Sequence, residues 1–316
     1  MTKVTDRLAD KTGLGEAVVG ALFLGGSTSL SGIVTSVTAA AGGYAELAIS
    51  NALGGIAAQI AFLSVADIVY RKANLEHAAA SPANLTQGTL LLTLLTISLL
   101  AMAGPQVSVC AIYPASAVIL VAYIFGVRVL SAAREHPMWN PRRTTSTRID
   151  EVEEDTSGGS SLTGLWLRFF LLAVITGVAG YVVAESGVSI SEQTGLSESV
   201  VGGLFTAVST SLPELVTSVA AVQQGALTLA VGGIIGGNSF DVLFVAFADI
   251  AYRGGSIYHA LTQSQIFVLA LAMLMTGVLL LGLLRRERRG IGNIGFESLL
   301  VLLLYGGGFL LLFFGV

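Results

Sequence analysis

Hydrophobic positions in this chain form long continuous runs rather than the short alternating periods of a soluble fold. Runs of about 18 to 28 apolar residues recur along the whole length, and each could cross a hydrocarbon core about 30 Å thick as a helix. Lipid excludes irregular backbone, so helices are expected throughout. With Gly, Pro and charged clusters as boundaries, the pattern predicts about nine spans. They lie near residues 14–41, 45–70, 87–104, 107–131, 162–185, 196–222, 226–250, 260–284 and 293–316.

Composition and charge agree with this reading. The chain has 316 residues, of which 53% are hydrophobic and only 11% are charged, whereas charged residues make up about a quarter of a soluble domain. If the N-terminus is cytoplasmic, alternation of the spans places nearly all Lys and Arg residues on the cytoplasmic side, with Arg253 as the main exception. This bias predicts an integral protein, in contact with the lipid bilayer, with its C-terminus outside. We expect the membrane to be a prokaryotic cell membrane.

One long polar segment, residues 135–161, interrupts the spans. Its acidic run could hold a regulatory cation, but its composition is more typical of a solvated cytoplasmic linker. It separates a first half, residues 1–134, from a second half, residues 162–316. The only cysteine, Cys110, lies in an apolar run, so we expect a packed side chain and no disulfide.

Two stretches of the chain repeat each other. Residues 14–71 align without a gap on residues 196–253 at a constant offset of 182. EAVVGALF pairs with ESVVGGLF, STSL and VTSV recur unchanged, and ADIVYR pairs with ADIAYR. An odd number of predicted spans separates equivalent points, so the copies would be inverted, as in transporters with a substrate site at the midplane. Duplicated helix packing alone is the alternative, but it does not account for polar residues at membrane depth.

The second copy carries a carboxylate in the sequence TSLPEL. Glu214 follows Pro213 well inside a predicted span. Proline lacks a backbone donor and clashes with the preceding turn, so we expect the helix to kink or unwind just before Glu214. Freed carbonyls and the hydroxyls of Thr210 and Ser211 would then supply oxygens that suit a hard cation such as Ca²⁺ or Na⁺.

The next span carries a second carboxylate in the sequence GGNSFD. Asn238 and Asp241 lie three residues apart and therefore nearly on one helical face. A structural polar pair is the plainer interpretation of Glu214 and Asp241. Carboxylates inside a membrane are costly, however, and as a rule mark ion pathways.

TSLPELVTSV followed by GGNSFD resembles the second signature repeat of the cation/calcium exchanger superfamily, which includes the sodium/calcium exchangers. The resemblance is strong over residues 196–250 and weaker over 14–68. It implies an all-α polytopic membrane protein with the inverted-repeat exchanger fold, in which ten helices form two halves and oxygens of both repeats bind Na⁺ and Ca²⁺ alternately. Carried over position by position, it implies as cation ligands Thr210, Ser211, Glu214, Asn238 and Asp241, with Thr28, Ser29 and Gln59 from the first repeat.

The first repeat departs from this pattern. Gly32 stands where the second repeat has Glu214, and the neutral Gln59 stands opposite Asp241. A Ca²⁺ site collects about six to eight oxygens with compensating charge. We therefore expect weaker divalent binding than the family norm, a change of ion to Na⁺, K⁺ or H⁺, or loss of transport. No apolar run matches the helix that the family plan would place before residue 14. Either the start site lies further upstream, which we favour, or this helix is truly absent.

Other polar residues receive plainer interpretations. Asp67 with Arg71 and Asp249 with Arg253 have the spacing of ion pairs within a helix, at the ends of two spans. The histidines His77, His136 and His259 have no second ligand at metal-binding spacing, so no zinc site is expected.

The sequence therefore predicts a secondary active cation antiporter that works by alternating access, with no cofactor apart from its transported Ca²⁺, Na⁺ or H⁺. The alternative is a degenerate, non-transporting scaffold or regulatory subunit of the same fold. An enzyme is not expected, because no nucleophile with a base lies at membrane depth. No basic domain suggests nucleic-acid binding. The oligomeric state stays open.

Overall fold

The computed structural model describes residues 26–70, 74–109, 111–142, 162–287 and 295–315, together with Val4. Within these ranges the regular structure is helical, apart from one isolated bridge between Val109 and Ile112. The helices are α1 Leu30–Ala41, α2 Ala45–Val69, α3 Leu75–Ala79, α4 Pro82–Ala103, α5 Pro114–Glu135, α6 Leu162–Thr194, α7 Glu198–Gln224, α8 Leu227–Asp241, α9 Leu243–Ala251, α10 Gln263–Arg285 and α11 Phe296–Phe313.

Eight spans in the described residues are long and apolar enough to cross a membrane, with α8 and α9 counted as one interrupted span. Helix α1 continues the predicted first span, whose residues 14–25 lie outside the described part. Three predicted boundaries were wrong. Helix α6 continues to Thr194, although its span was predicted to end near residue 185. Helix α4 begins at Pro82 because the Ser81 hydroxyl caps its first turn, and α5 begins only at Pro114. In both helices proline occupies the first turn, where its missing N–H costs nothing.

Two spans form the centre of the bundle. Helix α2 and the α8–α9 span are each 78% buried over their most apolar stretch, whereas α6 is only 11% buried. An all-round apolar helix such as α2 needs neighbours on every side, and α2 has them in α1, α7, α8, α10 and α11. Helix α6 packs mainly against α1 at the edge of the bundle. The central spans therefore belong to the two sequence repeats.

Asp249 lies near the end of the α8–α9 span, but it does not form the predicted ion pair. Its buried carboxylate accepts hydrogen bonds from the backbone N–H of Tyr113 at 2.7 Å, the hydroxyl of Ser116 at 2.7 Å and the N–H of Ile257 at 3.0 Å. Arg253, which the structure also describes, is exposed and does not pair with it. Buried backbone donors outcompete an exposed guanidinium because they need a partner away from water.

Asp67 repeats this arrangement at the other end of the molecule. It accepts from the backbone N–H of Leu75 at 2.7 Å and of Gly295 at 3.2 Å. Leu75 and Gly295 are the positions equivalent to Ile257 and Tyr113 at the offset of 182. The repeat therefore continues in three dimensions beyond residue 71, where the sequence similarity ends. Arg71 itself lies outside the described residues.

Helices α2 and α7 cross at two glycines, and this crossing yields a stability prediction. A Cβ on Gly54 would overlap the backbone of Gly203, which cannot move aside. Gly54→Ala is expected to destabilise the protein by about 1–3 kcal/mol through overpacking, measured as a lower thermal unfolding midpoint. Gly233→Ala is the matched control, since it places the same Cβ on an exposed helical glycine with open space around it. Equal midpoints for the two variants would contradict the close crossing.

Candidate functional site

Asp241 occupies the centre of the site. It is the last residue of α8, it is buried, and only Val242, which keeps helical dihedral angles, separates it from α9. The Ser29 hydroxyl, beside the start of α1, donates to one carboxylate oxygen at 2.7 Å. The Gln59 amide nitrogen, from α2, donates to the other at 2.6 Å. Residues that the sequence placed in different repeats thus meet at one carboxylate.

The contacts follow the two-fold relation between the repeats. Gln59 and Asp241 are equivalent positions, so the axis relating the halves passes between their side chains. The Ser29–Asp241 contact has its counterpart in Ser211, whose hydroxyl oxygen lies 3.4 Å from the Gln59 nitrogen. On the same axis the Asn238 amide donates to the carbonyl of its own equivalent, Ile56, at 3.3 Å.

Three side-chain oxygens around this centre are buried and have no hydrogen-bond donor: Gln59 Oε1, Asn238 Oδ1 and Glu214 Oε2. Asp241 is close enough to Glu214 for their charges to interact. Buried polar atoms are rarely left unpaired. No three His, Cys, Asp or Glu side chains in the described ranges form a metal-binding group. A cation here would therefore combine the two carboxylates with neutral amide and hydroxyl oxygens.

The backbone is irregular around the site, but not where the sequence predicted. The α-helical part of α7 runs unbroken through Pro213, from Ala207 to Gln224, so the helix does not unwind there. The alternative prediction, a kink at this proline, stays a prediction. Packing against α2 holds this helix in place, as neighbouring helices do for membrane prolines. The irregular points are a bend at Ser29, a π-helical turn at Val201–Thr206 and the turn at Val242 between α8 and α9.

The two threonines predicted as ligands lie close by. Thr210 is buried, and its hydroxyl donates within its own helix, with Thr206 O at 3.0 Å and Ala207 O at 3.2 Å. The Ser31 hydroxyl reaches the Thr210 carbonyl at 3.4 Å. Thr28 is half-buried and directly precedes the bend at Ser29.

The position of the absent first-repeat carboxylate is occupied by an aromatic ring. A Cβ on Gly32 would lie 2.6 Å from Cε2 of Phe244, in the first turn of α9. Phe244 is 4% exposed and lies edge-on to the ring of Phe240. Sequence reasoning identified the loss at Gly32 but missed the ring, because aromatic residues are ordinary in an apolar helix.

Gln87 is a second residue that the sequence did not single out. Its amide nitrogen would lie 2.7 Å from a Cβ on Gly236, and its buried Oε1 has no donor. Asn84, one turn earlier, donates to the Thr228 carbonyl of α8 at 3.3 Å. Two buried amides at the start of an apolar span were the available signal. Helix α4 thus places amide groups directly over the glycines that precede Asp241.

Fold and site together define a class: an all-helical integral membrane protein of two inverted halves, with buried carboxylates, amides and hydroxyls where the repeats meet. The chain belongs to the sodium/calcium exchanger protein family, which matches residues 1–131 and 163–315. The family places it in the cation/calcium exchanger superfamily, whose members are transporters.

Individual relatives cover less of the chain. It is 27% identical to the inner membrane protein YrbG of Escherichia coli over 174 residues, which are 55% of this chain and 52% of that protein. It is 36% identical to the sodium/calcium exchanger MaX1 of Methanosarcina acetivorans over 92 residues, 29% of this chain and 26% of that protein. These alignments span about half or less of each relative.

Solved structures share the fold over nearly the whole chain. The crystal structure of an H⁺/Ca²⁺ exchanger CAX superposes with a TM-score of 0.68 at 13% identity, covering 97% of this chain and 76% of that one. The sodium-calcium exchanger NCX_Mj superposes with a TM-score of 0.56 at 20% identity, covering 96% and 89%. At these identities the likeness establishes the exchanger fold alone.

Proposed function

We propose that this protein is a secondary active cation antiporter that exchanges Ca²⁺, or another cation, against Na⁺ or H⁺ at the site around Asp241. The observation that carries the proposal is the group of three buried oxygens without donors, from Gln59, Asn238 and Glu214. A bound cation would satisfy all three. It would also offset the cost of burying two carboxylates, which is several kcal/mol per isolated ion even after relaxation.

The charges suggest the stoichiometry. Glu214 and Asp241 together carry two negative charges when ionised, and the equivalent first-repeat positions, Gly32 and Gln59, carry none. One divalent cation or two monovalent cations would neutralise the pair. We propose an exchange of one Ca²⁺ for two Na⁺ or two H⁺, which moves no net charge. Asp241, held by Ser29 and Gln59, would be the fixed acid, and Glu214 the acid that adapts to the ion.

The topology supports alternating access between two inverted halves. Ions would bind between the helices of the two repeats, and rocking of one half against the other would expose them to either side. We propose the orientation that the Lys and Arg distribution predicts, with a cytoplasmic N-terminus in a prokaryotic cell membrane. The related names fit either counter-ion, since MaX1 is called a sodium/calcium exchanger and CAX an H⁺/Ca²⁺ exchanger.

The test is cation flux in proteoliposomes containing the purified full-length chain. Ca²⁺ uptake is expected under an outward Na⁺ gradient or an outward H⁺ gradient, with a rate that does not change when valinomycin and K⁺ clamp the membrane potential. A rate that follows the potential would contradict the stoichiometry. Absence of flux for every cation tried, combined with no cation-dependent rise in the unfolding midpoint, would instead identify a non-transporting scaffold.

A further inference from the structure

A second group of buried carboxylates lies away from the exchange site. Asp67 at the end of α2, Glu76 on the short helix α3 and Glu297 in the first turn of α11 are each at most 1% exposed. The side chains of Glu76 and Glu297 interact, and Asn74 contacts both residues: it accepts from the Glu76 N–H at 3.3 Å and donates to Oε1 of Glu297. This acid group lies at the end of the bundle that the charge distribution predicts to be cytoplasmic. None of its members belongs to the signature motifs.

Two members of the acid group have unsatisfied oxygens. Asp67 accepts two backbone N–H groups, and Oε1 of Glu297 accepts the amide of Asn74. Oε2 of Glu76 and Oε2 of Glu297 are buried and have no donor. At the nearby rim, Arg286 donates to the carbonyls of His77 and Arg142, and the His77 ring contacts the Arg286 carbonyl.

The other half of the molecule provides an internal comparison. At the offset of 182, Glu76 corresponds to Tyr258 and Glu297 to Ala115, so only the Asp67 equivalent, Asp249, remains acidic there. Asp249 is satisfied by three donors, and Tyr258 shares a hydrogen bond with a serine. The backbone arrangement alone therefore needs one carboxylate. The two additional glutamates are specific to this end.

The side chain of Glu297 is closely packed. A Cβ on Gly282 would lie 2.5 Å from Cγ of Glu297, and one on Gly295 would overlap its carboxylate. Among the residues that the structure describes, the three acids do not form a metal-binding group. Two carboxyl groups in contact share one proton because both cannot ionise side by side.

We propose that Glu76 and Glu297 bind one proton between them, and that this proton holds α3 against α11. Its loss would place two negative charges in contact beside Asp67 and loosen α3. Because α3 connects the central helix α2 to α4, the proton would couple the pH on this side of the membrane to the helix that carries Gln59.

The direction of the pH effect follows from Glu76, which lies outside the spans. Burial, and then the negative charges of Asp67 and Glu297, raise the pKa of Glu76 well above its usual 4.5. The proton therefore stabilises the folded protein fully below about pH 4.5, and this stabilisation is lost as the pH rises through the raised pKa. Alkaline pH is the destabilising direction.

The test compares the purified wild-type chain with Glu76→Gln/Glu297→Gln, which keeps hydrogen-bonding groups but cannot lose the proton. Between pH 5 and 9 the unfolding midpoint of the wild type is expected to fall more steeply than that of the double variant. At pH 9 the amides of Leu75–Ala79 should exchange with deuterium roughly tenfold faster in the wild type, as one unit of pKa coupling would give. Because both proteins are compared at the same pH, the intrinsic base catalysis of amide exchange is the same in both.

Glu185→Gln is the control, since it removes an exposed acid from the peripheral helix α6 and should leave the α3 exchange rates of the wild type unchanged. Parallel midpoint curves for wild type and double variant, or equal α3 exchange, would overturn the proposal. So would Ca²⁺ or Na⁺ restoring slow α3 exchange at pH 9 only when both glutamates are present, because the site would then hold a metal ion. A double variant that fails to fold would contradict the shared proton, since the two amides should replace it.

Discussion

Replacing Glu214 by glutamine is expected to abolish cation exchange while the protein remains folded. The change keeps the size of the side chain and halves the negative charge of the site, so a divalent cation loses one of its two anionic ligands. In a buried site the loss of one carboxylate should lower the affinity and the exchange rate by far more than tenfold, that is, by more than about 1.4 kcal/mol. The measurement is Ca²⁺ flux into proteoliposomes, with Ca²⁺-dependent thermal stabilisation as an independent readout.

Glu185→Gln is the matched control for this experiment. Glu185 lies exposed on the peripheral helix α6, so the same chemical change there should leave both flux and Ca²⁺-dependent stabilisation at wild-type values. Without cation, Glu214→Gln should unfold at the wild-type temperature or above it, because a buried charge without a counter-charge has been removed. Full flux in Glu214→Gln would refute the assignment of Glu214 as a ligand.

A carboxylate at position 32 is expected to destabilise the protein when it is the only change, and to be tolerated when Phe244 is shortened as well. Gly32→Glu drives a side chain into the ring of Phe244, with even its Cβ at 2.6 Å, and buries a further charge. We expect destabilisation by about 3 kcal/mol or more. Gly32→Glu/Phe244→Ala removes the ring from that space, so the double variant should be more stable than Gly32→Glu and should bind Ca²⁺ at least about tenfold more tightly than the wild type.

A double-mutant cycle measures this compensation. Phe244→Ala alone leaves a cavity and should cost about 3–5 kcal/mol, so additive effects would make the double variant the least stable protein of the series. We expect strong positive coupling instead, together with exchange that now responds to the membrane potential, because a third acid changes the charge carried. Additive stabilities would show that Phe244 does not take the place of the missing carboxylate.

Much of the architecture was predictable because it follows from local patterns in the sequence. Lipid leaves helices as the default, apolar run length sets the spans, and the repeat gave both the pairing of halves and the equivalence of Gln59 with Asp241. The approach of Ser29 to Asp241 followed the resemblance to a known family. Assignment of these residues as ligands stays a prediction until binding is measured.

What the sequence did not reveal depends on contacts between distant segments. Pro213 has a strong local tendency to break a helix, yet the helix runs through it while packing along α2. The spacing of Asp249 and Arg253 suggested a pair, whereas backbone donors from Tyr113 and Ile257 satisfy the acid. The contact of Phe244 with Gly32 could not be inferred, since the sequence does not indicate which neighbour an apolar side chain contacts.

The pairing of equivalent positions along the two-fold axis has a consequence for the origin of the molecule. In an ancestor made of two identical single-repeat chains, the residue on the axis would have faced its own copy. An aspartate there would have met an aspartate, and one of them would have needed a proton or a metal ion at all times. In one chain that carries both copies, the two partners can differ. Gln59 donates to Asp241 at 2.6 Å. A neutral donor of the chain itself therefore takes the place that a counter-ion would otherwise have to occupy.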